Sequence, residues 1–140
     1  MARASATITL AATPDQVWQL IGGFDSLPDW LPYIPRSVLS EGGRVRSLLN
    51  PDGDAIVERL EAFDNSARSY TYSILRAPFP VTGYRSTLRV VGGDGDQSAR
   101  VDWSGEFTPN GVTDEEASRL FEGIYRDGLS ALAATMNSGA

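Results

Sequence analysis

The chain has 140 residues, 41% of them hydrophobic, with 18 acidic residues against 12 basic ones and a formal charge of −6; this is the size of one ordinary domain that can bury its own core. Cysteine and histidine are both absent, which excludes disulfides, thiolate nucleophiles, Ser-His-Asp or Cys-His catalysis and any metal site not built from oxygen ligands alone. Every basic residue is arginine, so lysine Schiff-base chemistry is excluded, and the acidic balance argues against nucleic acid or acidic lipid as a partner.

Ala6, Ile8 and Leu10 alternate with Thr7 and Thr9, the period of a first strand. Thr13-Pro14-Asp15-Gln16 then supplies a helix start, with Thr13 as N-cap, Pro14 at the first helical position and Gln16 completing a capping box. Val17, Trp18, Leu20 and Ile21 give that short helix an apolar face, and Gly22-Gly23 ends it. The following FDSLPDWLPYIP is a second short helix or an irregular cover, because its prolines forbid a longer one. Within it Trp30 and Tyr33 are either a hydrophobic plug or part of a pocket mouth. MARASATITL lacks a long apolar stretch and no run is long enough to cross a bilayer, so the expectation is a cytoplasmic protein with no membrane span.

From Ser37 to Thr108 strands alternate with turn signals. Val45, Ser47 and Leu49 lead into the turn NPDGD; Ile56 to Phe63 follows, then DNSA, then Tyr70, Tyr72 and Ile74. RAPFPVTG connects to Tyr84, Ser86, Leu88 and Val90, which alternate with Arg85, Thr87 and Arg89, and GGDGD leads to the last strand, Ala99 to Thr108. Short connections imply an antiparallel meander. Arg85 and Arg89 belong to a solvated sheet face, whereas periodicity groups Val101, Trp103, Gly105 and Phe107 as buried, with Gly105 a candidate bulge.

The segment Thr113 to Met136 opens with a second capping box, Thr113-Asp114-Glu115-Glu116, and predicts a helix of roughly 35 Å. Its apolar stripe is Ala117, Leu120, Phe121, Ile124, Tyr125, Leu132 and Met136. Gly123 and Gly128 interrupt the stripe, either for close packing on the sheet or to leave room for a ligand. The fold class is therefore α+β, residues 1–140 forming one domain: a curved seven-stranded antiparallel sheet around a long C-terminal helix, two short helices after the first strand, and an internal cavity.

One stretch carries a chemical question. In AIVERLEAF, residues 55–63, period two places Glu58 on the same face as Ile56, Leu60 and Ala62. A carboxylate facing a cavity has its pKa raised by desolvation unless an arginine or hydroxyl compensates, and Tyr84 and Ser86 would offer such hydroxyls if they share its pocket.

The element order, with PDQVWQLIGGFDSLPDW, IVERLEAFD and YTYSILRAPFPVTGYRSTLRV, resembles the polyketide cyclase/dehydrase-like branch of the START and birch-pollen-allergen superfamily. The likeness spans nearly the whole chain and implies the helix-grip fold. Within that superfamily VERLEAFD, GYRS and PNGVTDEE are also similar to stretches of the plant abscisic acid receptors, which implies that Glu58, Tyr84 and Ser86 are polar pocket residues. An ungapped match to those receptors would turn Asp102 inward, against the periodicity that favours Trp103. Leu31 stands where they place a lysine for the hormone carboxylate, LNPDGD replaces their gate loop and Phe79-Pro80-Val81 their latch, so hormone binding is not implied.

Three functional classes stand open. The first is a binder of a small hydrophobic molecule, lipid-, polyketide- or isoprenoid-like, contacted by Glu58, Tyr72, Tyr84, Ser86, Trp103, Phe121 and Tyr125, with Asn50, Asp52, Phe79 and Pro80 at entrance loops. The second is a cyclase/dehydrase-type enzyme with Glu58 and Tyr84 as candidate acid/base groups and no metal or cofactor. The third is a protein-interaction module. The oligomeric state, monomer or homodimer, is open. Glu58→Gln is expected to keep the fold and alter binding, and Glu58→Leu to be neutral or stabilising if the carboxylate serves function rather than stability.

Overall fold

The computed structural model describes residues 1–50, 52–92 and 97–138. Of the expected turns, Pro51 of NPDGD and residues 93–96 of GGDGD lie outside the described residues. Strand β1 is Ala2–Leu10, followed by helices α1 (Pro14–Ile21) and α2 (Leu27–Trp30). Strands β2 (Arg36–Ser40), β3 (Val45–Leu49), β4 (Ala55–Asp64), β5 (Ser69–Arg76), β6 (Val81–Gly92) and β7 (Ala99–Pro109) form the meander, and α3 (Asp114–Ser138) ends it. A short 3₁₀ turn, Glu41–Gly43, joins β2 to β3 and was not expected from the sequence.

The seven strands make one antiparallel sheet in the order β1-β7-β6-β5-β4-β3-β2, curved in the helix-grip manner around α3. The first strand closes against the last, Ala6 opposite Trp103. It begins four residues earlier than alternation suggested: Ala2 and Ala4 are buried beside Phe107 and Gly105, where short side chains let the chain lie close beneath the helix. Both capping boxes form. Thr13 Oγ1 accepts from Gln16 N at 3.1 Å while Thr13 N donates to Gln16 Oε1, and Thr113 and Glu116 repeat the arrangement. The core lies between sheet and helix, where Phe107, Phe121, Tyr125, Leu129 and Leu132 are almost fully buried.

Register breaks bend the sheet and correct several expectations. On β4, Leu60 pairs with Tyr72 and Ala62 with Thr71, so Glu61 is an extra residue and Ala62 turns to solvent instead of sharing the face of Glu58. On β5 the extra residue is Leu75, between Ile74 opposite Glu58 and Arg76 opposite Val57. On β6, Gly83 and Tyr84 together face Phe107, and Gly83 takes the left-handed conformation with φ of +61°. The bulge thus sits at Gly83, not Gly105.

Strand β3 also reverses. Val45, Arg46 and Leu48 are buried while Ser47 and Leu49 face out, so the alternation of Val45, Ser47 and Leu49 does not describe its inner face. On β7 periodicity holds: Val101, Trp103, Gly105 and Phe107 are buried, and Asp102 turns outward to Thr7 and Arg100. Arg85 and Arg89 are exposed, as the solvated-face reading required. On α3, Leu120 is largely exposed and the stripe instead includes Leu129.

Candidate ligand-binding site

Between the inner sheet face, α2 and α3 lies a cavity of about 220 Å³. Glu58, Tyr72, Tyr84, Trp103, Phe121 and Tyr125 line it, with Asn50 and Phe79 contributing from the loops. Ser86, Asp52 and Pro80 are not part of the lining. Trp30 is buried as a plug against Trp103, their ring centroids 5.9 Å apart, whereas Tyr33 reaches the cavity and donates to the Ile124 carbonyl at 3.3 Å. A larger concavity of about 560 Å³ lies on the outer sheet face, but Arg3, Ser5, Thr71, Arg85, Thr87 and Glu106 make it polar. The apolar inner cavity is the better candidate for a hydrophobic ligand.

One wall is an ion pair. Arg46 on β3 stands directly opposite Glu58 on β4, and both are buried, at 1% and 6% exposure. Arg46 Nε and Nη2 each lie 2.8 Å from Glu58 Oε1. Its Nη1 donates to the Phe24 carbonyl at 3.1 Å and to Tyr70 Oη at 3.3 Å, and its guanidinium carbon lies 4.2 Å from the Phe24 ring centroid and 4.8 Å from that of Tyr72. Burial raises the Glu58 pKa above the ordinary carboxylate value, and the charge and hydrogen bond of Arg46 offset only part of that rise. For Arg46 burial disfavours the charge, but Tyr70, Glu58 and Tyr72 outweigh it, so the guanidinium remains protonated.

Of the two kinds of partner expected for Glu58, an arginine or a hydroxyl, the arginine is the one present, and Arg46 stands where Tyr84 and Ser86 were the named candidates. The signal was a charged residue in a short, mostly apolar strand next to the one bearing Glu58; finding it required the register across the β3–β4 loop. That loop closes through Asn50, whose side-chain oxygen accepts from Asp54 N at 2.8 Å and whose N–H donates to the Asp54 carbonyl at 3.1 Å.

The opposite wall is a chain of hydroxyls. Trp103 Nε1 donates to Tyr72 Oη and to Ser86 Oγ, both at 3.1 Å. Tyr72 shares a 3.4 Å hydrogen bond with Tyr84, which shares another with Tyr125. Ser86 donates to the Ser104 carbonyl at 2.7 Å, so it anchors Trp103 rather than facing the cavity. Burial pushes Tyr72 and Tyr84 well above the ordinary tyrosine range and Tyr125 up to about 12, keeping all three neutral donors. Two glycines make room for this wall. A Cβ on Gly105 would fall 2.2 Å from Tyr125 Oη, and one on Gly128 would fall 2.6 Å from the Trp103 ring. Gly128 therefore serves close packing, while Gly123 borders open space.

Among the described residues no group of three acidic side chains is placed to hold a metal ion, and no helix is long and apolar enough to cross a membrane.

A family model described as "Polyketide cyclase / dehydrase and lipid transport" matches residues 1–137. Among solved structures, the protein XoxI from Bacillus cereus is 58% identical, with a TM-score of 0.96 over 100% of this chain and 99% of that one. An uncharacterised protein from Bacillus thuringiensis is also 58% identical, with a TM-score of 0.94 over 95% and 97% of the two chains. A START superfamily protein from Mycobacterium smegmatis, at 13% identity, matches with a TM-score of 0.81 over 100% of both chains. The Zhui aromatase/cyclase from Streptomyces sp. R1128, at 18% identity, matches with 0.73 over 95% and 89%; these last two likenesses are of fold alone. With residues 1–137 matched and the START-like architecture in place, the chain belongs to the polyketide cyclase/dehydrase and lipid transport family.

Proposed function

We propose that this protein binds a small hydrophobic molecule in the cavity between the sheet and α3. The observation that carries this reading is an internal cavity whose walls are mostly aromatic and aliphatic, with the Arg46–Glu58 pair as its charged feature. Apolar walls supply affinity through burial and a few polar atoms supply orientation. The family to which the chain belongs, and the START-like fold it shares, support the same class of activity.

An enzymatic reading, with Glu58 and Tyr84 moving protons, draws on the family description. It would gain from a second acid or base next to Glu58. The group found there is Arg46, whose charge is needed where it stands. Binding is therefore the preferred reading. Interaction through an outer surface rests only on exposed side chains such as Val38, Leu39 and Leu49.

Native mass spectrometry of the purified protein, compared with its denatured mass, tests the proposal. A discrete extra mass lost on denaturation is the expected result. An unoccupied protein that also fails to take up any of a panel of small hydrophobic molecules would overturn it.

A further inference from the structure

The two walls of the cavity differ in one atom. Both contacts from Arg46 fall on Glu58 Oε1, and Oε2 has no hydrogen-bond partner among the described residues. Nor is Oε2 sealed off: the enclosed side-chain atoms without partners are Ser26 Oγ, Trp30 Nε1 and Ser37 Oγ, and Glu58 lines the cavity. An unshared carboxylate oxygen beside an apolar cavity is free to accept from a water or from the donor of a ligand that displaces it.

Arg46 is in nearly the opposite condition. Nε donates to Glu58, both Nη1 hydrogens go to Phe24 and Tyr70, and Nη2, 2.8 Å from the same Glu58 oxygen, is the one nitrogen with an N–H to spare. It cannot present the paired N–H fork that grips a carboxylate or phosphate. The hydroxyls of Tyr72, Tyr84 and Tyr125 are engaged with one another. A ligand therefore meets a charged acceptor in Oε2, the weaker neutral acceptors of the tyrosine oxygens, and no paired cationic fork. An anionic headgroup near Oε2 would be repelled, whereas a neutral O–H or N–H would complete its hydrogen bonding.

Size narrows the class further. An apolar cavity of about 150 Å³ holds benzene, so 220 Å³ accommodates a molecule of one ring with short substituents or two small fused rings. A fatty acid or a full-length polyketide chain would extend out of it through the open side.

We infer that the ligand is a neutral, hydroxyl-bearing molecule of one or two rings, a phenol or alicyclic alcohol, whose hydroxyl donates to Glu58 Oε2. This rests on the binding reading above and specifies its chemistry. The test compares three molecules of nearly the same shape by isothermal titration calorimetry on the intact protein: para-isopropylphenol, cumene and para-isopropylbenzoate. The phenol is expected to bind about tenfold more tightly than cumene, the worth of one charge-assisted hydrogen bond, and the benzoate more weakly than either. In an Arg46→Met/Glu58→Leu double variant the phenol and cumene should bind equally; Glu58→Gln, which keeps a polar group beside Arg46, provides a second variant with a reduced preference.

Equal binding of all three to the wild type, or preference for the benzoate, would overturn the hydroxyl assignment while leaving hydrophobic binding in place. Failure of all three to bind would overturn this inference and remove support from the binding reading as well. A phenol preference that persists undiminished in a folded variant would move the hydroxyl contact away from Glu58 and overturn the assignment.

Discussion

The cavity has two polar walls that are buried to a similar degree, and they handle that burial differently. At the tyrosine wall Tyr72, Tyr84, Tyr125 and Trp103 share hydrogen bonds among neutral groups, and the chain ends, through Ser86, on the Ser104 carbonyl. At the other wall a full charge is buried, one carboxylate oxygen takes both contacts from Arg46 and its twin is left unshared. A hydrogen-bonded network stiffens the fold, while an open valence in the same cavity is available to something that is not protein. Recognition is therefore expected at Glu58, and framework duty at the tyrosines.

The largest effect should come from breaking the ion pair on one side. Glu58→Leu leaves Arg46 charged and buried without its counter-ion, which costs about 3–5 kcal/mol, measurable by chemical denaturation. This reverses the sequence-based expectation of a neutral change. Arg46→Met combined with Glu58→Leu should recover most of that loss, because apolar side chains of similar volume often replace a buried pair without penalty. A double variant as unstable as Glu58→Leu would show that the pair is not an isolated unit.

At the tyrosine wall Gly105→Ala should destabilise by about 1–3 kcal/mol through overpacking, since the new methyl group would fall 2.2 Å from Tyr125 Oη. Relief of that loss by Tyr125→Phe, read in a double-mutant cycle, would identify the hydroxyl as the clash. A smaller change is expected from Tyr84→Phe, which removes the central hydroxyl of the chain: about 1 kcal/mol of stability, with the preference of a hydroxylated ligand over its hydrocarbon unchanged. Loss of that preference would mean that the two walls share the recognition.

At neutral pH the tyrosines contribute no titration effect, but in alkali they should. Tyr125 is raised to about 12, and burial holds Tyr72 and Tyr84 well above the ordinary value of 10.0. A raised folded pKa means that stability is fully present below pH 10 and falls as pH rises from there towards the folded values, because the unfolded chain ionises first. Tyrosinate absorbance from these three residues should therefore appear together with loss of the circular dichroism signal. Their ionisation near pH 10 with the fold intact would contradict their burial as a hydrogen-bonded network.

Much of this architecture was legible because local signals carried it. Thr13 and Thr113 announce their helices through capping boxes that depend only on residues three apart. The shared face of Glu58 and Ile56 followed from alternation, with the family likeness turning that face inward, and the burial of Trp103 followed from its phase with Val101 and Phe107. The same reasoning failed at Ala62, where an extra residue at Glu61 shifts the phase, and placed the bulge at Gly105 instead of Gly83. Alternation carries no mark of an inserted residue until the partner strand is known.

Composition removed whole chemistries: without cysteine, histidine or lysine, no thiolate, imidazole or Schiff base can act here. Alternation and capping specified strands, helices and their order, because each is set by neighbours within a few residues along the chain. The partner of Glu58 was settled elsewhere, in the registry that brings Arg46 across from it over the Asn50–Asp54 loop. So was the geometry in which one carboxylate oxygen is shared and the other is not. Such contacts join residues far apart in sequence, and only the closing of the sheet around the helix brings them into one cavity, where burial makes an unpaired oxygen consequential.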